Sequence, residues 1–224
     1  MERPVSARLQ KESTSMSSSR PASLPFSRSV MIADKLICAG VLLSLGFSGL
    51  RADLTMVAVY VLLYPYLYIT SRRQAVRHLL VASLVACCWF FIAKGQYGYN
   101  REMLLIGGYT VYPLFAWAVG LFGVYLMYSY WVRIFPNRTL PGKLVFFVVL
   151  YWSLLFGSEI LAYHYFHFRN IATANYAGLP LVDCIHVPGW MQAAYLLNGP
   201  LYFLICEFSG FANPNIPVRA ALPR

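Results

Sequence analysis

Charge is scarce in this sequence. Asp, Glu, Lys and Arg make up 12% of its 224 residues, where soluble domains carry about 25%. With hydrophobic residues at 59%, too little polar surface remains to cover a water-exposed particle. That excludes a soluble enzyme, a nucleic-acid reader and a disordered scaffold. Acidic residues are the scarcest: eight Asp and Glu stand against 18 Lys and Arg, for a net charge of +10. A nucleic-acid footprint would gather the basic residues on one polar face. Here they punctuate apolar runs, so no nucleic-acid partner is expected. Cysteine is sparse as well. Of the five, only Cys184 falls in a loop between apolar runs, which leaves no disulfide framework. Cys38, Cys87, Cys88 and Cys206 lie inside the runs and behave as small apolar residues. There is no zinc or haem-attachment spacing, no HExxH box and no internal repeat, and no cofactor is expected.

What the sequence does have is long apolar runs. A hydrocarbon core of roughly 30 Å needs about 20 apolar helical residues, and six runs qualify as candidate spans: Val30 to Leu50, Leu54 to Thr70, His78 to Ala93, Met103 to Trp131, Leu144 to Phe166 and Gly189 to Phe208. The predicted fold is an all-α, polytopic membrane helix bundle of about six transmembrane helices. Pro113 predicts a kink in the fourth. With six spans, both termini and the loops after spans two and four share one side. That side holds fourteen of the 18 Lys and Arg, among them Lys35, Arg72, Arg73, Arg77 and Lys143, and the other holds four, Arg51, Lys94, Arg101 and Arg169. Cytoplasmic segments carry the Lys and Arg excess, so both termini are expected in the cytoplasm. Residues 1–29, rich in Ser and Arg without an apolar run, read as a disordered tail. Residues 30–208 form the transmembrane domain, and 209–224, with Pro214, Pro217 and Pro223, a second tail. Asn137-Arg138-Thr139 matches the glycosylation acceptor pattern but lies on the predicted cytoplasmic side.

Ionisable groups inside a span are costly and mark functional sites. Glu159 lies sixteen residues beyond Lys143 in the fifth span, about 24 Å along a helix. That depth puts it beneath the non-cytoplasmic interface. The helix runs on through Tyr163, His164 and His167 to Arg169. Helical spacing lets Glu159 meet Tyr163, and His164 meet His167. The next segment, Asn170 to Pro188, carries Asp183, Cys184 and His186. It is too interrupted for a span and too apolar for a solvated loop, which predicts a re-entrant or capping loop. Topology therefore gathers Glu159, Tyr163, His164, His167, Asp183 and His186 at one end of the bundle, with Tyr97, Tyr99, Asn100, Arg101 and Glu102.

Such a cluster suits proton donation. A carboxylic acid in an apolar setting stays protonated near neutrality. Glu159 is the candidate acid, Asp183 the second carboxylate, and Tyr163 and His186 complete the catalytic set. Aromatic faces would stabilise a carbocation. Hydration, cyclisation or isomerisation of a lipid or isoprenoid substrate is the leading expectation. The simpler alternative is that Glu159 pairs with Arg169 or hydrogen-bonds within the bundle. His164 and His167, with Asp183 and His186, also offer a nitrogen and oxygen set for a metal. A non-catalytic structural subunit of a larger membrane complex is the rival reading. The partners open to the chain are membrane lipids, a second copy of itself in a homo-oligomer, or subunits of a membrane complex. A transporter, lacking a visible inverted repeat, comes third. Ala116, Gly120 and Gly123 predict close helix packing, and Tyr60, Tyr64, Tyr66, Tyr68, Tyr125, Tyr128 and Tyr130 an interfacial aromatic belt. Trp89, Trp117 and Trp152, placed deeper, are expected to pack in the core or line a lipid-shaped pocket.

Two stretches, Gly108-Tyr109-Thr110-Val111-Tyr112-Pro113 with Trp117, and Tyr176-Ala177-Gly178-Leu179-Pro180-Leu181 before Gly189-Trp190, resemble motifs of membrane carotenoid hydratases. Those enzymes also carry acidic residues in apolar helices. The resemblance covers a minor part of the chain and implies an isoprenoid substrate.

Overall fold

A computed structural model describes residues 28–44, 46, 51–132 and 139–215. Six α-helices run through them: α1 (Arg28–Ser44), α2 (Ala52–Ile69), α3 (Arg73–Ala93), α4 (Tyr112–Val132), α5 (Leu140–Ile160) and α6 (Gly189–Phe208). A 3-10 turn, Lys94–Gln96, extends α3, and a π-helical turn, Leu161–Tyr165, extends α5. Four stretches, Ala52–Ile69, Arg73–Gln96, Tyr112–Val132 and Leu140–Tyr165, are long and apolar enough to cross a membrane. The expected first and sixth spans are helices that fall short of that measure. As described, α1 has 17 residues, ending at Ser44, with 47–50 outside the described residues. In α6, Gln192, Asn198, Gly199, Pro200 and Glu207 dilute the apolar content.

Each boundary has a local cause. Pro141 sits in the first turn of α5, where a missing N–H costs nothing. Pro188 immediately precedes α6. Pro113 is the second residue of α4 rather than an interior kink, because the helix starts later than expected. The sequence before it, Met103 to Val111, is not helical. Leu105–Ile106 (β1) pairs antiparallel with Tyr109–Thr110 (β2), Ile106 opposite Tyr109. Gly107 and Gly108 between them have φ of 59° and 81°, a two-residue hairpin turn that needs positive φ at both positions.

Successive helices reverse direction, so the bundle has two ends. At one lie the start of α1, the end of α2, the start of α3, the ends of α4 and α6, and the start of α5. Here Asp34, Arg72, Tyr130 and Asn215 meet. The other end holds the hairpin and the 161–188 segment; Asn170, for example, bonds Gln96 and Gly98. Central α4 packs on α2, α3, α5 and α6, whereas α1 packs on α2. The bundle's core is aromatic. Phe147 stacks on Phe203 at 4.9 Å, Tyr128 meets both edge-on, and Tyr125 contacts His78 and Tyr202. Gly199 lies against the Tyr151 ring, where a Cβ would fall 2.5 Å from it.

Several expectations change here. Tyr125 and Tyr128 are core residues, not belt residues. Tyr60 bonds Tyr64 and Ser83, joining α2 to α3. Tyr66 and Tyr130 turn to Asp34. The expected second tail begins as folded structure. Asn213 donates to the Ser129 carbonyl and Asn215, fully buried, bonds Leu126, Ser129 and Arg72. Residues 216–224 lie outside the described residues, as do 1–27 of the expected first tail, whose last two residues open α1.

Candidate functional site

A long cavity of about 1040 Å³ runs between α1, α2, α4 and α5. Its lining follows α4 from Tyr112 to Trp131, nineteen residues further along the helix, or about 28 Å. The walls are mostly apolar: Leu63, Leu121, Phe122, Met127, Leu150 and Leu154 are among them. Ala116, Gly120 and Gly123 also line it. A Cβ at Gly120 would meet nothing within 4 Å. Gly120 therefore makes space, whereas at Gly123 the expected close helix approach is present, a Cβ there meeting the Cys38 Sγ of α1 at 4.0 Å. Trp117 lines the cavity; Trp89 instead packs in the core and donates to the Tyr97 hydroxyl at 2.8 Å, and Trp152 is exposed.

Both ends of the cavity are polar. At one, Asp34, Lys35, Tyr66 and Tyr130 line the wall. Arg72, fully buried, donates to Asp34 at 2.7 and 2.9 Å, Tyr66 donates at 2.6 Å, and the Tyr130 hydroxyl completes the carboxylate's shell. The guanidinium also reaches Thr70 and Asn215 and lies over the Tyr66 ring. Sequence position alone makes Arg72 a solvent-facing loop charge. It is instead a buried partner, because the tight α2–α3 turn directs it back into the bundle. The rule that singles out Glu159 applies equally to Asp34, seven residues into α1, and points to this pair.

At the other end, Tyr97, Tyr99, Tyr112, Tyr195 and Glu159 line the long cavity. Glu159 makes no hydrogen bond and no ion pair among the described residues. Its expected alternative partner is engaged elsewhere: the Arg169 guanidinium lies 4.5 Å from the Tyr163 ring centre and donates to the Tyr163 carbonyl at 3.4 Å. Glu159 also lines a second, smaller cavity of about 110 Å³, shared with Tyr99, Tyr112, Ser158, Tyr163, Asn170 and His186. The carboxyl stands between an apolar chamber and a polar one.

Beyond Glu159 the π-helical turn sets the course of the chain. Tyr163, on this turn, lines the small cavity with Glu159, as their four-residue spacing predicts. Such turns recur at functional sites. Tyr163 stacks on His186 at 4.7 Å. The His186 Nδ1 faces the Tyr176 carbonyl at 2.9 Å and its Nε2 the Asp183 carboxylate at 3.5 Å. Asp183 lines neither cavity; its side chain is 79% exposed. It stands behind His186, away from Glu159.

The histidines of the expected metal set are held apart. His164 pairs with the Val182 carbonyl, and His167, at φ 50°, lies past the helix end beside Arg169. Among the described residues no group of three or more His, Cys, Asp or Glu is placed to hold a metal. The 170–188 segment caps the bundle, burying Cys184, Ile185 and Val187 against Trp89, Tyr97 and Met191. Burial, with the charges of Glu159 and Asp183 adding to it, pushes the Cys184 thiol up to about 11.

Neither protein-family models, curated proteins nor solved structures contain a match to this chain.

Proposed function

We propose that the chain is a multi-pass membrane enzyme with six spans and both termini cytoplasmic, acting by acid–base chemistry on a long isoprenoid lipid. The unpartnered Glu159 carboxyl at the end of a long apolar cavity carries this reading. An unpaired carboxyl in such a place is costly unless it works. The substrate lies along α4 with an alkene at Glu159. Glu159 gives its proton to the less substituted alkene carbon. A C–H bond forms, the acid O–H breaks, and positive charge develops on the neighbouring tertiary carbon. Trp117, Tyr97 and Tyr195 line the cavity with Glu159, and their rings supply the aromatic surface that stabilises this charge. Tyr163 and His186 return a proton to the carboxylate, and Asp183 orients His186. Hydration, cyclisation and isomerisation share this first step and part at the fate of the cation.

The test is reconstitution in lipid with linear isoprenoid polyenes, followed by product analysis. Wild-type protein converts a polyene, and Glu159→Gln, which keeps shape and removes the acid, does not while unfolding at an unchanged temperature. A fully active Glu159→Gln protein overturns the reading.

The rival, a non-catalytic subunit of a membrane assembly, draws on α5. Phe147 and Tyr151 are its only buried residues, and Val145, Val149 and Trp152 are exposed on an outer face open to lipid or to another chain. Native mass spectrometry separates the two. A fixed hetero-complex without a retained lipid favours the subunit.

A further inference from the structure

Three of the hydroxyls on the wall of the small cavity beside Glu159, those of Tyr99, Tyr112 and Tyr163, have no protein partner among the described residues. Tyr112 is 8% exposed and lines this cavity, and its hydroxyl has no hydrogen bond among the described residues. The Tyr99 and Tyr163 hydroxyls and the Glu159 carboxyl on the same wall are likewise unpartnered. Buried polar groups are satisfied by protein or by ordered water. A volume of about 110 Å³ has room for several waters, each of which needs roughly 10–15 Å³ of such space. Ser158, whose hydroxyl donates to the Leu155 carbonyl, and Asn170, whose amide bonds Gln96 and Gly98, complete the polar wall. An empty apolar void stays dry, but this one has the several polar partners that a buried water requires.

We infer that this cavity is a water-binding site that joins Glu159 to His186 and carries protons from the loop end of the bundle to the carboxyl. His186, 14% exposed, closes the outer side, with Asp183 and solvent beyond it. The path avoids the opposite end, where Asp34 is saturated by Arg72, Tyr66 and Tyr130. The inference rests on the acid role of Glu159 only for its purpose. Each proton given to an alkene leaves a carboxylate, and a proton from solvent, passed along these waters, restores the acid O–H. The waters themselves stand on the unpartnered hydroxyls alone.

X-ray radiolysis of the full-length protein in lipid nanodiscs tests this, because hydroxyl radicals form from bound water and oxidise side chains beside it. Tyr99, Tyr112 and Tyr163 are expected to be oxidised. Tyr202 and Phe147, fully buried and clear of both cavities, stay unmodified, as does Trp117, which lines only the long cavity. Protection of Tyr99 and Tyr112 equal to that of Tyr202 overturns the water site. Equal oxidation of Trp117 overturns it as a separate chamber. Dilution into ¹⁸O water before exposure then reads exchange: His186→Leu is expected to slow isotope uptake at Tyr112 several-fold, and an unchanged rate removes His186 from the path. The readout is water, not turnover, so it succeeds or fails independently of whether Glu159→Gln loses activity.

Discussion

Arg72 holds Asp34 by two hydrogen bonds of 2.7 and 2.9 Å, both side chains buried, across 38 residues of chain. The pair ties α1 to the α2–α3 turn, and Tyr130 and Asn215 extend the tie to the ends of α4 and α6. Since α1 otherwise packs chiefly on α2, this cluster seats it against the long cavity. Removing one member strands a buried charge. Asp34→Ala is expected to cost about 3–5 kcal/mol, while Asp34→Leu combined with Arg72→Met recovers most of that. Denaturation of the three proteins in one detergent checks it. A single variant as stable as wild type would show that the pair holds nothing.

The glycines of α4 and α6 make opposite predictions. Nothing stands within 4 Å of a Cβ at Gly120, which lines the long cavity, whereas a Cβ at Gly199 would strike the Tyr151 ring at 2.5 Å. Gly120→Leu should therefore fold at least as well as wild type, helped by up to about 1 kcal/mol of helix propensity. It should also weaken binding of a fluorescent polyene fatty acid, because the new side chain occupies the cavity. Gly199→Ala should lose about 1–3 kcal/mol through overpacking with little effect on the probe. Equal probe binding by wild type and Gly120→Leu would place the ligand elsewhere.

Apolar runs give away most of the helices. The range Gly189–Phe208 read from the sequence is that of α6 in the structure, because Pro188 and the apolar spacing mark its start. The same reasoning runs Met103 to Trp131 together, since hydropathy is blind to the paired glycines 107 and 108 that turn the chain into a hairpin. Composition marks Ala116, Gly120 and Gly123 as special without deciding whether they admit a helix or leave a cavity. Only the position of α1 decides that. Glu159 is legible as a carboxyl within an apolar run. Tyr163 and His186 are legible beside it, by spacing and by topology, but topology also puts Asp183 with Glu159, although Asp183 lines neither cavity and meets His186 instead. Charge and Pro-rich composition suggest solvent-facing loops for Arg72 and Asn215. Their burial depends on partners distant in sequence.

The charge asymmetry predicts which end faces which compartment. Ile106, 65% exposed at the hairpin, lies at the end opposite Arg72. In a cysteine-free background, Ile106→Cys should react with an impermeant maleimide added outside intact cells, and Arg73→Cys should react only after the membrane is opened. Labelling in the reverse order would invert the orientation, and labelling of both from outside would remove a span from the count.

Cys184 offers a pH-resolved check on how the capping segment sits. Its thiol is fully buried against Trp89 and Met191, and burial raises it from 9.0 to about 11. The thiolate is the reactive form. At pH 8 its fraction is about a hundred-fold below that of a free thiol, because the ionised fraction falls tenfold for every pH unit by which the pKa rises. Alkylation of folded protein by iodoacetamide should therefore stay slow through pH 9 and climb until about pH 11, whereas unfolded protein reacts readily from about pH 8.5. Because the unfolded thiol ionises first, the folded state should also lose stability as pH rises between those two values. Peptide mapping of the alkylated protein reads the first effect and denaturation at two pH values the second. Rapid labelling of Cys184 at pH 8 in folded protein would mean that the 170–188 segment stands away from the bundle. His186 could not then close the small cavity, and Glu159 would be open to bulk water.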